Sequence, residues 1–339
     1  MGLLTLSLGF VPVVLFLFTL RVLDSYKLVH RGTLLGSLAV GVVAAGIAFG
    51  THRLVLVSLH PDPVLLRHWL APVIEESLKA AFVAWMIRTE RVGFTVDAAI
   101  VGFAVGTGFA LTENLYYAGA LRDTSLGLWL VRGLGTAIMH GSTTAVFAIV
   151  SKDLGERHSY VGPHLLLPGL ALAIAVHSAY NHLTWQPLMS TALLLVTMPI
   201  LLIGAFERSE RATRAWLGSG LDGEVEMLEQ ILDGEVAGTR VGQYLESIRA
   251  HFPGLIVADM LCLLRIHLEL SIRAKGLLIA RSAGVDVPIG AQVRANLEEL
   301  RFLERAIGPT GRLALLPLRR SSSRDLWQIM LLAREAARG

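Results

Sequence analysis

The chain has 339 residues, 53% of them hydrophobic and 17% charged, with a formal net charge of +3 and a mean hydropathy of +0.59. That balance excludes a disordered chain or an ordinary soluble enzyme and indicates an integral membrane protein. Charge is unevenly spread: twelve Lys/Arg and ten Asp/Glu precede Glu207, whereas residues 207–339 carry eighteen and seventeen, so the second part reads as soluble and its near-neutrality gives no case for nucleic acid binding despite a pI near 9.2.

In chain order, hydropathy predicts about seven spans, each near the roughly 20 residues a bilayer requires. They fall at about Leu3–Leu23, Thr33–Gly50, Leu65–Ile87, Phe94–Ala120, Leu126–Val150, His164–Trp185 and Pro187–Phe206. The first has no Lys or Arg before its apolar core and no small-residue cleavage site, so it reads as a retained helix, not a signal peptide. The second is interrupted at Thr51-His52-Arg53, and its apolar run resumes to Leu59 before Pro61-Asp62-Pro63. His52, His60, His68, His158 and His182 read as lying in or near loops. A basic linker, 207–220, leads to a helical domain, 221–339, in which Glu224–Leu232, Arg240–His251, Leu255–Arg281, Ala291–Ile307 and Arg324–Ala337 space their apolar residues as amphipathic helices do. The expected fold is all-α: a polytopic membrane bundle, 1–206, followed by a soluble helical domain suited to regulation or homo-oligomerisation. Cys262 is the only cysteine, which excludes an intrachain disulfide and fits a reducing compartment for this domain.

Orientation follows from the loops. Arg21, Lys27, Arg31, Arg88, Arg91, Lys152, Arg157, Arg208, Arg211 and Arg214 fall on one side, and Arg53, Arg67 and Arg122 on the other. The positive-inside rule then predicts an outside N-terminus and a cytoplasmic C-terminal domain in a cell membrane.

Glu75 and Glu76 stand adjacent in the third span, where each ionised acid costs roughly 2.5–3.5 kcal/mol on insertion scales. Their companions on other spans are Glu113 and Asn114, His140, and the pair His177 and Asn181. A helical rise of about 1.5 Å per residue puts Glu75 ~15 Å, Glu113 ~10 Å, His140 ~20 Å, His177 ~12 Å and Asn181 ~6 Å below the outer surface. One wet pocket in the outer half of the membrane is the simplest common explanation. Lys79 lies i,i+4 from Glu75 and i,i+3 from Glu76, so it can neutralise one carboxylate while the other stays poised. Tyr117 is i,i+4 from Glu113, and Gly102, Gly106, Gly108, Gly133 and Gly135 would let the helices approach closely. Asp97 and Arg132, near opposite ends of their spans, read as interface or structural charges.

In Glu75-Glu76-x-x-Lys79, Phe109-x-x-x-Glu113-Asn114, the isolated His140, and His177-x-x-x-Asn181, roughly residues 1–206 resemble the PrsW-type intramembrane proteases, relatives of the CAAX-prenyl-protease and bacteriocin-processing group. The resemblance implies hydrolysis of membrane-anchored proteins, such as an anti-sigma factor in regulated intramembrane proteolysis, and a class often counted among metalloproteases. It does not extend to residues 207–339. The wider group often has a His where Glu113 stands and an Arg after the Glu pair in place of Lys79.

Peptide hydrolysis needs an activated water, oxyanion stabilisation and a proton for the leaving amine. The residues suggest Glu75 as general base helped by Glu113, His177 and Asn181 as oxyanion donors, His140 and Glu76 orienting water or completing a metal shell, and Lys79, Asn114 and Tyr117 in support. Glu75, Glu113, His140 and His177 are also a ligand set for zinc, although no His-Glu-x-x-His helix is present. The rival class is a proton- or ion-coupled transporter, which uses the same residue types but more often shows paired repeats.

Overall fold

The computed structural model describes residues 3–24, 26, 28–120, 125–156, 158, 161–182, 186–285, 287–318 and 323–337. Lys27, Arg122 and Arg157 of the orientation argument lie outside them. The described residues form helices and no strand, and the chain divides into two compact units, Met1–Glu210 and Arg211–Gly339.

The first unit contains α1 (Leu3–Leu23), α2 (Arg31–Leu59), α3 (Pro63–Leu65), α4 (Ala71–Arg88), α5 (Thr95–Ala120), α6 (Leu126–Leu130), α7 (Ala137–Glu156), α8 (Pro163–His182) and most of the apolar part of α9 (Pro187–Leu232). It is a polytopic membrane bundle. Among the described residues, five helical segments, Arg31–Leu59, Thr95–Ala120, Leu126–Glu156, Pro163–His182 and Pro187–Leu232, are long and apolar enough to cross a bilayer. Ala71–Arg88 falls short of that measure because it carries Glu75, Glu76, Lys79 and Arg88, three of which the site itself requires.

Helix α2 differs from expectation. It does not end near Gly50 but continues through Thr51-His52-Arg53 to Leu59, with the Thr51 hydroxyl donating to the Ile47 carbonyl at 2.9 Å. It stops where His60 takes a left-handed conformation, φ 45°, and Asp62 accepts from the Val64 and Leu65 amides at 2.7 and 3.2 Å to start the next helix. His52 is therefore a helical residue carried into the bundle, not a loop residue.

Helix α5 is buried on all sides from Asp97 to Ala110, where its residues are almost all apolar or small, as such a stretch must be. It packs chiefly on α7 and α2 at backbone contact. A Cβ at Gly106 would strike the His140 carbonyl and come within 2.6 Å of the Gly141 Cα; one at Gly102 would come within 2.6 Å of the Thr144 carbonyl oxygen; one at Gly108 would strike the Leu38 carbonyl of α2. These approaches set Glu113 of α5 beside His140 of α7. Two π-helical turns, Leu66–Leu70 before α4 and Val131–Thr136 before α7, interrupt the ladders next to the polar site, a common placement for such turns.

In the second unit, α10 (Arg240–Ile248), α11 (Gly254–Ser282), α12 (Ala291–Ala306), α13 (Gly308–Ala314) and α14 (Ser323–Ala336) join the end of α9. Helix α11 is the centre, burying Met260, Leu263, Leu264, Ile266, Leu270 and Leu278 against neighbours that include α12 and α14. Its polar residues are matched inside the unit: Lys275 pairs with Glu224 at 2.8 Å, Ser271 donates to Glu224 at 2.7 Å, and Asn296 donates to Glu269 at 2.7 Å. The stretch 207–220, expected as a linker, is helical within α9.

If α5 and α7 meet through backbone, Gly106→Val cannot be absorbed by side-chain rotation and should destabilise the bundle by about 1–3 kcal/mol or more. Gly46→Val, where a Cβ meets nothing within 4 Å, is the control and should leave stability nearly unchanged. Thermal unfolding midpoints in detergent measure both; equal midpoints would refute the contact.

Candidate active site

Four helices of the first unit bring one carboxylate or imidazole after another to a common point. Helix α4 contributes Glu75, Glu76 and Lys79, α5 Glu113, α7 His140 and Thr143, and α8 His177. Lys79 and Glu76 are 0% and 1% exposed, with Nζ to Oε1 at 2.6 Å. The same Glu76 oxygen accepts from the His177 Nδ1–H at 2.7 Å and from the Thr143 hydroxyl at 3.2 Å. Glu76 is thus saturated with donors, which is how a carboxylate survives at this depth.

The second branch starts at the same lysine. Lys79 Nζ donates to His140 Nδ1 at 3.1 Å, which assigns the proton of a neutral His140 to Nε2, and that nitrogen donates to Glu113 Oε2 at 3.0 Å. Arg132 Nη2 stands 3.5 Å from the same Glu113 oxygen, its Nε donates to Asn114 Oδ1 at 2.9 Å, and its guanidinium lies 3.9 Å from the Tyr117 ring centroid. Asn114 donates in turn to the Gly9 carbonyl at 2.7 Å. Asn114 and Tyr117 therefore hold Arg132, and Arg132 faces Glu113. The sequence reading of Arg132 as a structural end-of-span charge missed this, because a π-helical turn carries it inward.

Glu75 is different. Among the described residues it makes no direct hydrogen bond: Oε2 lies 3.9 Å from His177 Nε2, and Oε1 lies 3.7 Å from Nε2 of His52. His52 was missed as well. The detectable signal was an apolar run that resumes after it, the mark of a continuous helix. The His140 and His177 rings meet edge to face at 4.9 Å, so the gap beside Glu75 is walled by both imidazoles.

Asn181 does not join this cluster. Its amide donates to the Arg67 carbonyl at 3.0 Å, one turn from Ser178, whose hydroxyl donates to the His68 carbonyl at 2.6 Å. Both accepting carbonyls belong to the π-helical turn Leu66–Leu70. Asn181, expected as an oxyanion donor, here clamps that turn onto α8. Asp97 caps its own helix, accepting from the Phe94 amide at 3.2 Å.

Ligand atoms from Glu75, His140 and His177 lie within 4.8 Å of one another, and among the described residues this is the group that could hold a metal ion; Glu113 falls outside it. A tetrahedral zinc with bonds of roughly 2.0–2.1 Å needs neighbouring ligand atoms about 3.3 Å apart, which small side-chain rotations would provide. His177 fits such a site as it stands, with its Nδ1–H fixed on Glu76 and its Nε2 lone pair turned inward, the carboxylate–histidine pairing that supports a metal ligand, whereas His140 would have to give up its bond to Lys79 or to Glu113 to offer a ring nitrogen.

Because Lys79 serves both branches, Lys79→Met should leave Glu76 buried without its countercharge, lowering stability by about 3–5 kcal/mol. A lower unfolding midpoint in detergent, together with lost helix content on mild heating, is the expected result; wild-type stability would mean that His177 and Thr143 satisfy Glu76 unaided.

Residues 25–204 match a family model described as PrsW family intramembrane metalloprotease. No curated protein and no solved structure matches the chain. With more than half of its length matched, and with the paired glutamates, the Glu113–His140 contact and His177 gathered at one point inside an apolar bundle, the chain belongs to the PrsW family of intramembrane proteases.

Proposed function

We propose that the protein is an endopeptidase that cuts membrane-anchored proteins by glutamate-activated water, with Glu75 as the general base. The observation that carries this reading is the contrast among the three carboxylates. Glu76 has three donors and Glu113 is held by His140 and Arg132, while Glu75 faces a gap of 3.7–3.9 Å on both oxygens. A gap of that length is too long for a direct hydrogen bond and suits an intervening water. Glu75 takes a proton from the attacking water as the water oxygen bonds to the scissile carbonyl carbon, and the proton passes to the leaving amine as the C–N bond breaks. His177 Nε2, aimed into the same gap, relays that proton. Glu76 and Lys79 position His177 and His140 and take no proton.

The compactness of Glu75, His140 and His177 favours a second reading. Zinc held by these three residues would lower the pKa of water at the site and polarise the scissile carbonyl. Family membership gives the transporter reading no comparable support. The substrate class is a protein with a membrane anchor, an anti-sigma factor being the candidate by analogy with the family. The positive-inside rule supports an outward-facing site and a cytoplasmic 221–339, whose charged amphipathic helices suit regulation or self-association.

Glu75→Gln is nearly isosteric and should reduce cleavage of a membrane-anchored reporter in proteoliposomes by about 10²–10⁴-fold with unchanged unfolding behaviour. Undiminished cleavage would remove Glu75 from the chemistry.

Chelation separates the two readings. The carboxylate mechanism expects full turnover after metal is stripped to below stoichiometric content; loss of activity restored by zinc, with Glu75→Gln or His177→Ala lowering zinc retention, would place the metal at the triad.

A further inference from the structure

We infer that His52 is a positioning residue for Glu75, donating its Nε2–H to Glu75 Oε1 so that Oε2 is presented to the reacting water. The inference rests on the reading of Glu75 as the reacting carboxylate, and holds whether Glu75 activates water itself or offers Oε2 to a metal.

Three observations converge on it. First, Nε2 of His52 is shut off from solvent and has no hydrogen-bond partner, an arrangement proteins rarely keep without use for the group. Second, its nearest acceptor is Glu75 Oε1 at 3.7 Å, about half an ångström beyond ordinary hydrogen-bond reach, which a small rotation of either side chain or one bridging water closes. Third, the other oxygen, Oε2, faces His177 Nε2 at 3.9 Å, so the two carboxylate oxygens face different imidazoles. His177 belongs to the reacting side, because its Nδ1 is fixed on Glu76. His52 comes from the opposite direction, on α2, about 10 Å along the helix from its end at Leu59.

The chemical need is specific. A glutamate side chain has three rotatable bonds, and a general base must bring one oxygen within about 2.6–3.2 Å of the water it deprotonates. Glu76 and Glu113 are pinned by their donors. Glu75 has no such anchor within α4, α5, α7 or α8, and His52 is the donor placed to supply it. A neutral imidazole is sufficient, so the role requires no change of charge at His52.

The test uses the full-length protein in proteoliposomes with a membrane-anchored reporter. His52→Ala and His52→Leu should lower kcat by about 10- to 100-fold with KM within about twofold, the usual cost of losing an orienting hydrogen bond. His52→Gln, whose amide N–H can reach the same oxygen, should restore most of the rate and keep the pH profile. In a Glu75→Gln background, His52→Ala should cost nothing further. A second readout needs no turnover: the carboxylate bands in the infrared difference between wild type and Glu75→Gln should shift in His52→Ala and return in His52→Gln. Wild-type kcat in His52→Ala, equal losses in His52→Ala and His52→Gln, or Glu75 bands that ignore His52 would each overturn the inference. A protein that cleaves nothing, yet shows the band shift, would defeat the protease mechanism and leave the His52–Glu75 bond standing.

Discussion

Everything in the polar site depends on one buried cation. Lys79 is completely enclosed, and an ammonium in that position must spend its donors on groups able to accept them. It does so with Glu76 and with the Nδ1 of His140, and each choice propagates. Neutralised Glu76 can hold the Nδ1–H of His177, which aims Nε2 at Glu75; a His140 whose Nδ1 is taken must point Nε2–H at Glu113. One charge therefore sets the tautomers of two histidines on two other helices. Pairs of this kind add little net stability over apolar residues, but breaking one side is costly, so they serve geometry more than energy.

The network closes only because the helices approach more tightly than ordinary side chains allow. Hydrocarbon gives helices no hydrophobic reason to associate, and packing must come from close backbone contact. Gly102 and Gly106 of α5 lie against the α7 carbonyls of Thr144 and His140, while Gly41 of α2 and Gly108 of α5 bring those two helices together. The bond from His140 to Glu113 and the approach of His52 to Glu75 are consequences of these contacts. The two π-helical turns complete the arrangement: one carries Arg132 to Glu113, and the other is clamped to α8 by Ser178 and Asn181.

The second unit is packed differently. Helix α11 contains long apolar stretches, yet its polar residues find partners within the unit, with Lys275 between Glu224 and the Trp216 ring. Its apolar side chains meet α12 and α14 as in any helical core. Among the described residues of this unit, none gather as the ionisable groups of the first unit do, and the family match covers residues 25–204.

The all-α bundle and most of the polar set were legible in the sequence for one reason: hydrocarbon penalises every ionisable residue and every unpaired backbone group, so helices announce themselves by length and functional polar residues stand out against them. Glu75, Glu76, Lys79, Glu113, His140 and His177 were singled out that way, and Lys79 was expected to neutralise one glutamate and leave the other poised. Which one it spares could not be read, since Lys79 is within helical reach of both; in the fold it pairs with Glu76, on the oxygen that also takes His177 Nδ1–H and the Thr143 hydroxyl. His52 was obscured because a three-residue polar interruption looks the same whether a helix ends or continues. Arg132 could not be placed from periodicity because it sits on a π-helical turn, which rotates side chains off the 3.6-residue period on which the reading relied, and the partner of Asn181, the Arg67 carbonyl, belongs to the other such turn. Composition and periodicity determine which residues must be hidden from lipid, whereas the partner each one meets is decided only by how closely, and at what rotation, the helices pack.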